Sequence, residues 1–338
     1  MALVNSPMVF TIKQAPYMNN INTVCQIDNH SLLLVRGPDA RKFLQGQVTC
    51  DIEQLSIQTT DNGDLLTTSL GAHCTHKGRI VFTFRALPLD EHTIALNLPA
   101  DMMNIATTAL KKYIVFSKAE LIDASEEYKI IGVHSESATQ QLTNVIPNLP
   151  STIDTAINHE KGIIICLSSG RYELWLTQKQ YTTIVKLFTD YPLSSGQYWD
   201  FANINDGIGE IQTATSEKFT PHAINLQSTS RGVSFQKGCY TGQEVVARMH
   251  YLGKLKKQMF LFELPRTLID ELPKIGHPLY SPGKSQSIGE IVLIAEHGSE
   301  VHLLASVTVE QANQNLIYVD QTCQKKLNLL PLSKASSA

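Results

Sequence analysis

The apolar runs of this chain are short, and nothing else in the sequence constrains its fold as much. Residues 162–167, Gly-Ile-Ile-Ile-Cys-Leu, are typical: strand-sized, with Lys161 before and Ser168 after. A membrane-spanning helix needs about 20 apolar residues, and no run approaches that. Residues 1–14 hold one lysine and scattered apolar positions, so neither a secretion signal nor an Arg-rich transit pattern is read there. The 338 residues suffice for about two or three domains. A formal net charge of -3 excludes a global basic field for nucleic acid. The six cysteines, at 25, 50, 74, 166, 239 and 323, form no C-x-x-C pair and are expected as reduced thiols, which points to the cytoplasm.

The runs fall into an ordered series. Residues 21–36 read as strands (Ile21, Val24, Ile27, then 32–35) around Asp28-Asn29-His30. Pro38 and Asp39 introduce a helix carrying Ala40, Phe43, Leu44 and Val48 at helical spacing. Residues 64–97 read as a β-meander with a turn at His76-Lys77-Gly78-Arg79. A helix over 100–113 and a strand at 114–116 follow. Strands are expected at 128–133, 162–167 and 171–176, and a helix at 178–188. This mixture lacks strict βαβ alternation and argues for an α+β fold. After residue 253 Pro and Gly punctuate short apolar segments (259–264, 288–295, 301–309 and 316–319), the pattern of a small β-barrel. Residues 334–338 read as a frayed tail.

Chemistry concentrates in residues 237–244, Lys-Gly-Cys-Tyr-Thr-Gly-Gln-Glu. Thr241 and Glu244 have capping-box spacing, with Thr241 as N-cap of a helix that buries Val245, Val246 and Met249. Cys239 would then precede a helix N-terminus, with Lys237 two residues away and Arg248 able to fold back. That setting favours a thiolate. A buried, inert cysteine is the other reading, and spacing alone leaves both open.

This octet resembles the signature of the YgfZ-type folate-binding proteins, a branch of the glycine-cleavage T-protein superfamily. The likeness spans about residues 20–330. It includes the G-x-D-A-x-x-F-L-Q-G-Q-x-T-x-D run within residues 34–51, the hairpin Lys77-Gly78-Arg79, Phe219-Thr220-Pro221 and Asn225-Leu226. It implies an α+β, T-protein-like ring of folate-binding domains, with two interleaved subdomains over 20–252 and a C-terminal β-barrel domain over 253–330. It further implies tetrahydrofolate or a derivative as ligand, and a role supporting iron–sulfur enzymes or cluster-carrier proteins, including those that methylthiolate tRNA. Cys239 would make transient contact with a cluster. Independent turnover is not implied; the alternative is a tetrahydrofolate-dependent aminomethyl transferase, with Asp51 as candidate acid or base. His76, Gly209 and His222 depart from the pattern, and Asn203 stands where the T-protein carries an Arg for the folate.

Under this resemblance Cys239, Lys237 and Tyr240 form the reactive set. Glu173, Gln45, Gln47, Asp51, Lys77, Arg79, Gln243 and Arg248 form the folate-binding set. A carboxylate at Glu173 can accept paired hydrogen bonds from a pterin's aminopyrimidine edge; a solvated strand residue is the alternative. Gln45, Gln47 and Asp51 line a pocket or finish a helix with Gly46 at its C′ position. Lys77 and Arg79 meet a glutamate tail or sit on a solvated turn. The cluster His73, Cys74, His76 falls short of the four ligands of a structural zinc site, so no metal is expected. The basic run Arg248, His250, Tyr251, Lys254, Lys256, Lys257 reads as a solvated face, so neither direct tRNA binding nor a membrane partner is expected.

Overall fold

The computed structural model describes residues 23–191, 193–228, 232–253 and 255–332. The expectations for residues 1–14, Ile21, Lys254 and the tail 334–338 lie outside the described residues. Three sheets organise the chain. The first has eight strands in the order Leu193–Ser194, Thr23–Gln26, Tyr128–His134, Arg171–Thr177, Gly162–Ser168, Thr155–His159, Gly63–Thr67, Ile57–Thr60. It is antiparallel except for the parallel pair at Leu193–Ser194. The second has five antiparallel strands, Ser69–Cys74, Ile80–Asp90, Thr93–Pro99, His30–Arg36 and Glu120–Asp123. Early strands alternate between these two sheets, so neither is continuous in sequence.

Period-two alternation decides which side chains the two sheets show each other. On Arg171–Thr177, Tyr172, Leu174 and Leu176 enter the outer core under the helices Glu136–Val145 and Gln178–Ile184. Trp175 turns to the opposite core, shared with Leu32, Leu34, Leu87 and Ala95 of the second sheet. Glu173 shares that inner face. On Thr93–Pro99, Ile94, Leu96 and Leu98 pack away from the first sheet, which leaves Ala95 and Asn97 facing it. Arg85 takes the inner face of its strand by the same rule, since Phe82, Phe84 and Ala86 are spent on the other core.

The third sheet is C-terminal, in the order Pro278–Leu279, Gly289–His297, Glu300–Thr308, Lys257–Pro265, Asn328–Leu330. It curls until its edges meet through single bridges, Tyr280 to Tyr318 and Tyr318 to Lys326. The expected barrel is thus a curled five-stranded sheet, and 316–319 contributes a bridge rather than a strand. Two more local readings are corrected. Residues Ile114–Phe116 form a 3-10 turn in solvent, because the helix Met103–Lys111 already covers the sheet there. The helix Gln243–Leu252 is not capped by Thr241; Gly242 is its N-cap, at φ +85°, and no side-chain cap bond forms. No helix of the described residues is long and apolar enough to cross a membrane.

Candidate functional site

A pocket opens between the first two sheets, lined among others by Glu173, Asn97, Arg85, His30, Glu210 and Gly71. Its cavity volume is about 40 Å3. Glu173 is buried, and its Oε1 accepts from Asn97 Nδ2 and from Trp175 Nε1, both at 2.7 Å. That fixes the carboxylate plane and leaves Oε2 without a hydrogen bond among the described residues. Asn97 Oδ1 is buried and likewise unpartnered among them. Asn97 Oδ1 is thus a buried acceptor without a donor among the described residues, a costly arrangement in an interior unless something supplies an N–H group.

Polar groups from distant segments surround this pair. His30 Nε2 lies 3.3 Å from Glu210 Oε2, and Asn203 Nδ2 donates to Glu210 Oε1 at 3.4 Å. Burial opposes the His30 charge, but Glu210, with Glu173 and Asp200 behind it, prevails and lifts the imidazole to about 9. Burial, with the Glu210 charge adding, pushes Asp200 up to about 6. Arg171 is fully buried, bonded to Asp206 at 2.5 Å and to Asn203, its guanidinium 4.0 Å over the Trp199 ring. Asn203 holds its place by receiving that arginine. Arg85 pairs with the buried Asp154 at 2.5 Å and with Thr68 at 2.9 Å.

The Cys239 segment is a second feature, built on the second sheet. Its flanking residues are anchors: Lys237 and Tyr240 are buried while Gly238 and Cys239 are exposed. Lys237 Nζ donates to Val48 O at 2.9 Å and Cys50 O at 2.6 Å, and lies 5.4 Å from the Tyr240 ring centre. Burial pulls this amine down to about 8. Burial also holds the Tyr240 phenol above its usual range. Thr241 Oγ1 donates to Gln47 Oε1 at 3.3 Å, and Gln243 Nε2 to Gly238 O at 3.4 Å. Gly242 and Gly78 abut: a Cβ on Gly242 would lie 2.4 Å from Thr75 O and 3.3 Å from Gly78 Cα, and one on Gly78 3.0 Å from Val245. The Lys-Gly-Arg hairpin and the cysteine motif are thus two halves of one close contact.

Of the reactive and folate-binding residues expected from the sequence, Glu173 lines the inter-sheet pocket and the others do not; Asn203 and Gly209, which depart from the family pattern, line it too. Gln45 Nε2 donates to Asp51 Oδ1 at 2.8 Å, Gln45 Oε1 takes Ile52 N, and Asp51 also takes Glu53 N, so both close a chain turn. Gly46 ends the helix Ala40–Gln45 in a right-handed conformation. Lys77 and Arg79 are exposed, Arg79 donating to Lys218 O at 2.6 Å. Arg248 and its basic neighbours from His250 to Lys257 are exposed where described. The two features are joined through the turn before Asp51: Lys237 grips Cys50 O, and the Cys50 sulfur lies behind Gly71, a pocket-lining residue. Sequence reasoning missed Asn97, His30, Glu210, Asp200 and Arg171. A signal existed for Asn97, a polar residue on the inner face of an otherwise apolar strand. Among the described residues no group of three or more His, Cys, Asp or Glu side chains is placed to hold a metal ion.

Comparison with solved structures gives the class. The aminomethyltransferase T of the glycine cleavage system from Bartonella henselae superposes with a TM-score of 0.68, covering 92% of this chain and 86% of that one at 13% identity. The fold is that of the T-protein. Among curated proteins, the "tRNA-modifying protein YgfZ" of Photorhabdus laumondii is 34% identical over 243 residues, 70% of each chain. That of Shigella boydii is 34% identical over 260 residues, 76% of each chain. The chain belongs to the YgfZ family. No protein-family model matches it.

Proposed function

We propose that this protein is a tetrahydrofolate-binding accessory factor for iron–sulfur-dependent tRNA modification, working in the cytoplasm. The observation that carries the reading is the Glu173 carboxylate in the pocket between two sheets, its Oε1 held by Asn97 and Trp175 and its Oε2 without a hydrogen bond among the described residues. An aminopyrimidine edge presents N–H donors side by side, and a carboxylate matches it. The residues present fit such a ligand: Glu173 is pre-aligned by Asn97 and Trp175, and Arg85 and His30 bring positive charge to the walls. Folate, when bound, would supply a one-carbon carrier; this chain's residues bind, orient and exclude water. The names of the relatives support the link to tRNA.

Cys239 has the complementary task. Its side chain is exposed on a loop anchored at both ends, so it can meet a partner without a change of fold. Fe–S centres usually take four protein ligands, so one thiol touches a cluster only while a client or carrier protein holds the rest. Calorimetric titration with tetrahydrofolate tests the pocket, and no heat at saturating ligand refutes it. Cells lacking the protein test the thiol: the Cys239→Ser variant should keep folate binding and fail to restore tRNA methylthiolation, and full restoration would remove the thiol from the function.

A further inference from the structure

One apolar feature stands outside the hydrophobic cores. On the turn Ile114–Phe116, Val115 is 74% exposed and Phe116 98% exposed, beside a half-exposed Tyr113. Scattered apolar residues on a surface are ordinary, but two consecutive ones on a rigid turn form a patch. The turn is fixed by Ser117 N donating to Ile114 O and by Lys118 N donating to Asp39 Oδ2, both at 2.8 Å. Lys111, Lys112 and Lys118 surround it, all exposed and without an ion pair among the described residues, against a single acid in the segment, Glu120.

The patch is linked to the loop that carries the thiol by a short chain of contacts. Tyr113 packs edge-on to His73 with ring centres 6.1 Å apart. His73 Nδ1 is 2.8 Å from Gln47 O, and Gln47 Oε1 receives Thr241, two residues from Cys239. We propose that Val115 and Phe116, rimmed by Lys111, Lys112 and Lys118, form the docking knob for a partner protein that presents an apolar cleft edged by Asp and Glu, and that docking there brings the partner to Cys239. Charge complementarity selects the occupant: three free ammonium groups need carboxylates opposite. A protein is favoured over RNA because Val115 offers nothing to stack on a base and gains only by burial in a cleft. This deepens the proposed role of Cys239 and does not depend on the pocket's ligand.

The test is a photo-cross-linking phenylalanine analogue at Phe116 in the full-length protein in cells. The expected product is a cross-link to a protein through a peptide containing several Asp or Glu residues. Reversing the three lysines (K111E, K112E and K118E together) should cut its yield about tenfold or more, since three attractive charges become repulsive opposite the partner's carboxylates. All three are exposed, so the variant should melt with the parent; if it does not fold, photolysis of the parent in cell lysate brought to 0.5 M salt should give the same loss relative to lysate at low salt (about a 4 Å screening length). Cys239→Ser should leave the cross-link in place, so failure of the thiol's role and failure of this surface read out separately. Cross-links only to RNA or lipid, none to any macromolecule, a contact peptide without acidic residues, or a yield indifferent to charge reversal and salt would each overturn the proposal.

Discussion

Replacing Glu173 with Gln keeps the shape of the pocket and changes one charge. Oε1 of the amide can still accept from Asn97 Nδ2 and Trp175 Nε1, so both 2.7 Å bonds survive and the unliganded fold should be unaffected. The second atom changes from an acceptor, Oε2, to an NH2 group facing ligand N–H donors. One charge-assisted hydrogen bond is lost, about 1.5–3 kcal/mol, which is about a 10- to 150-fold rise in the Kd for tetrahydrofolate. The loss shows in thermal melts. At 100 times the parent Kd the ligand stabilises the parent by about 2.7 kcal/mol. A variant weakened about 100-fold gains only about 0.4 kcal/mol at the same concentration, by the same relation. Calorimetry and melting curves with and without ligand measure both numbers. A Kd within about threefold of the parent, with unchanged unliganded melting, would place the ligand away from Glu173 and refute the carboxylate argument.

Gly242→Ala combines a φ of +85° with a Cβ 2.4 Å from Thr75 O, so denaturant unfolding should show a loss of about 2–4 kcal/mol; a loss below about 0.5 kcal/mol would mean that the hairpin and the motif are not in contact. Cys239→Ser, at an exposed site, should change stability by less than about 0.5 kcal/mol, and a larger change would show the thiol to be structural. His30 is raised from 6.5 to about 9, so the stability it confers is full below pH 6.5 and is lost as pH rises through 9. Urea unfolding from pH 6 to 10 should therefore show a fall of order 3 kcal/mol attributable to this group, absent in His30→Gln; parallel profiles for the two proteins would exclude the His30–Glu210 pair as the source.

The parts of the fold that were legible in the sequence are those where neighbouring residues decide the outcome. The strands at 128–133, 162–167 and 171–176 were readable from their apolar runs, whereas Glu173 was singled out by the family resemblance, its strand alone leaving a solvated position open. The polar surroundings of Glu173 were not legible, because they depend on strands exchanged between two sheets: His30, Asn97 and Glu210 are far apart in the chain. The helix Gly196–Asn205, which brings Asp200 and Asn203 to the site, is buried on most sides and so has no amphipathic stripe to detect. The run Ile114-Val115-Phe116 has strand composition but no sheet edge to join, since Glu120–Asp123 already occupies it. The Thr-x-x-Glu spacing at 241–244 was overridden by packing: the chain must pass under Thr75 O, where only a glycine fits, so Gly242 takes the cap.

The arrangement separates two chemistries that a shared cavity would have merged. An exposed sulfur beside a small open pocket could reach a bound one-carbon group directly; Cys239 does not line the pocket that contains Glu173. What connects them is a strip of backbone. Val48 O and Cys50 O are held by the Lys237 ammonium, Thr49 Oγ1 donates to Gly232 O at 2.7 Å, and Thr49 O takes Ser234 N at 2.9 Å. The same strip presses the Cys50 sulfur against Gly71, where an added Cβ would lie 2.6 Å from it. An amine held by two carbonyls and drawn down to about 8 gives up its proton more readily than an ordinary lysine.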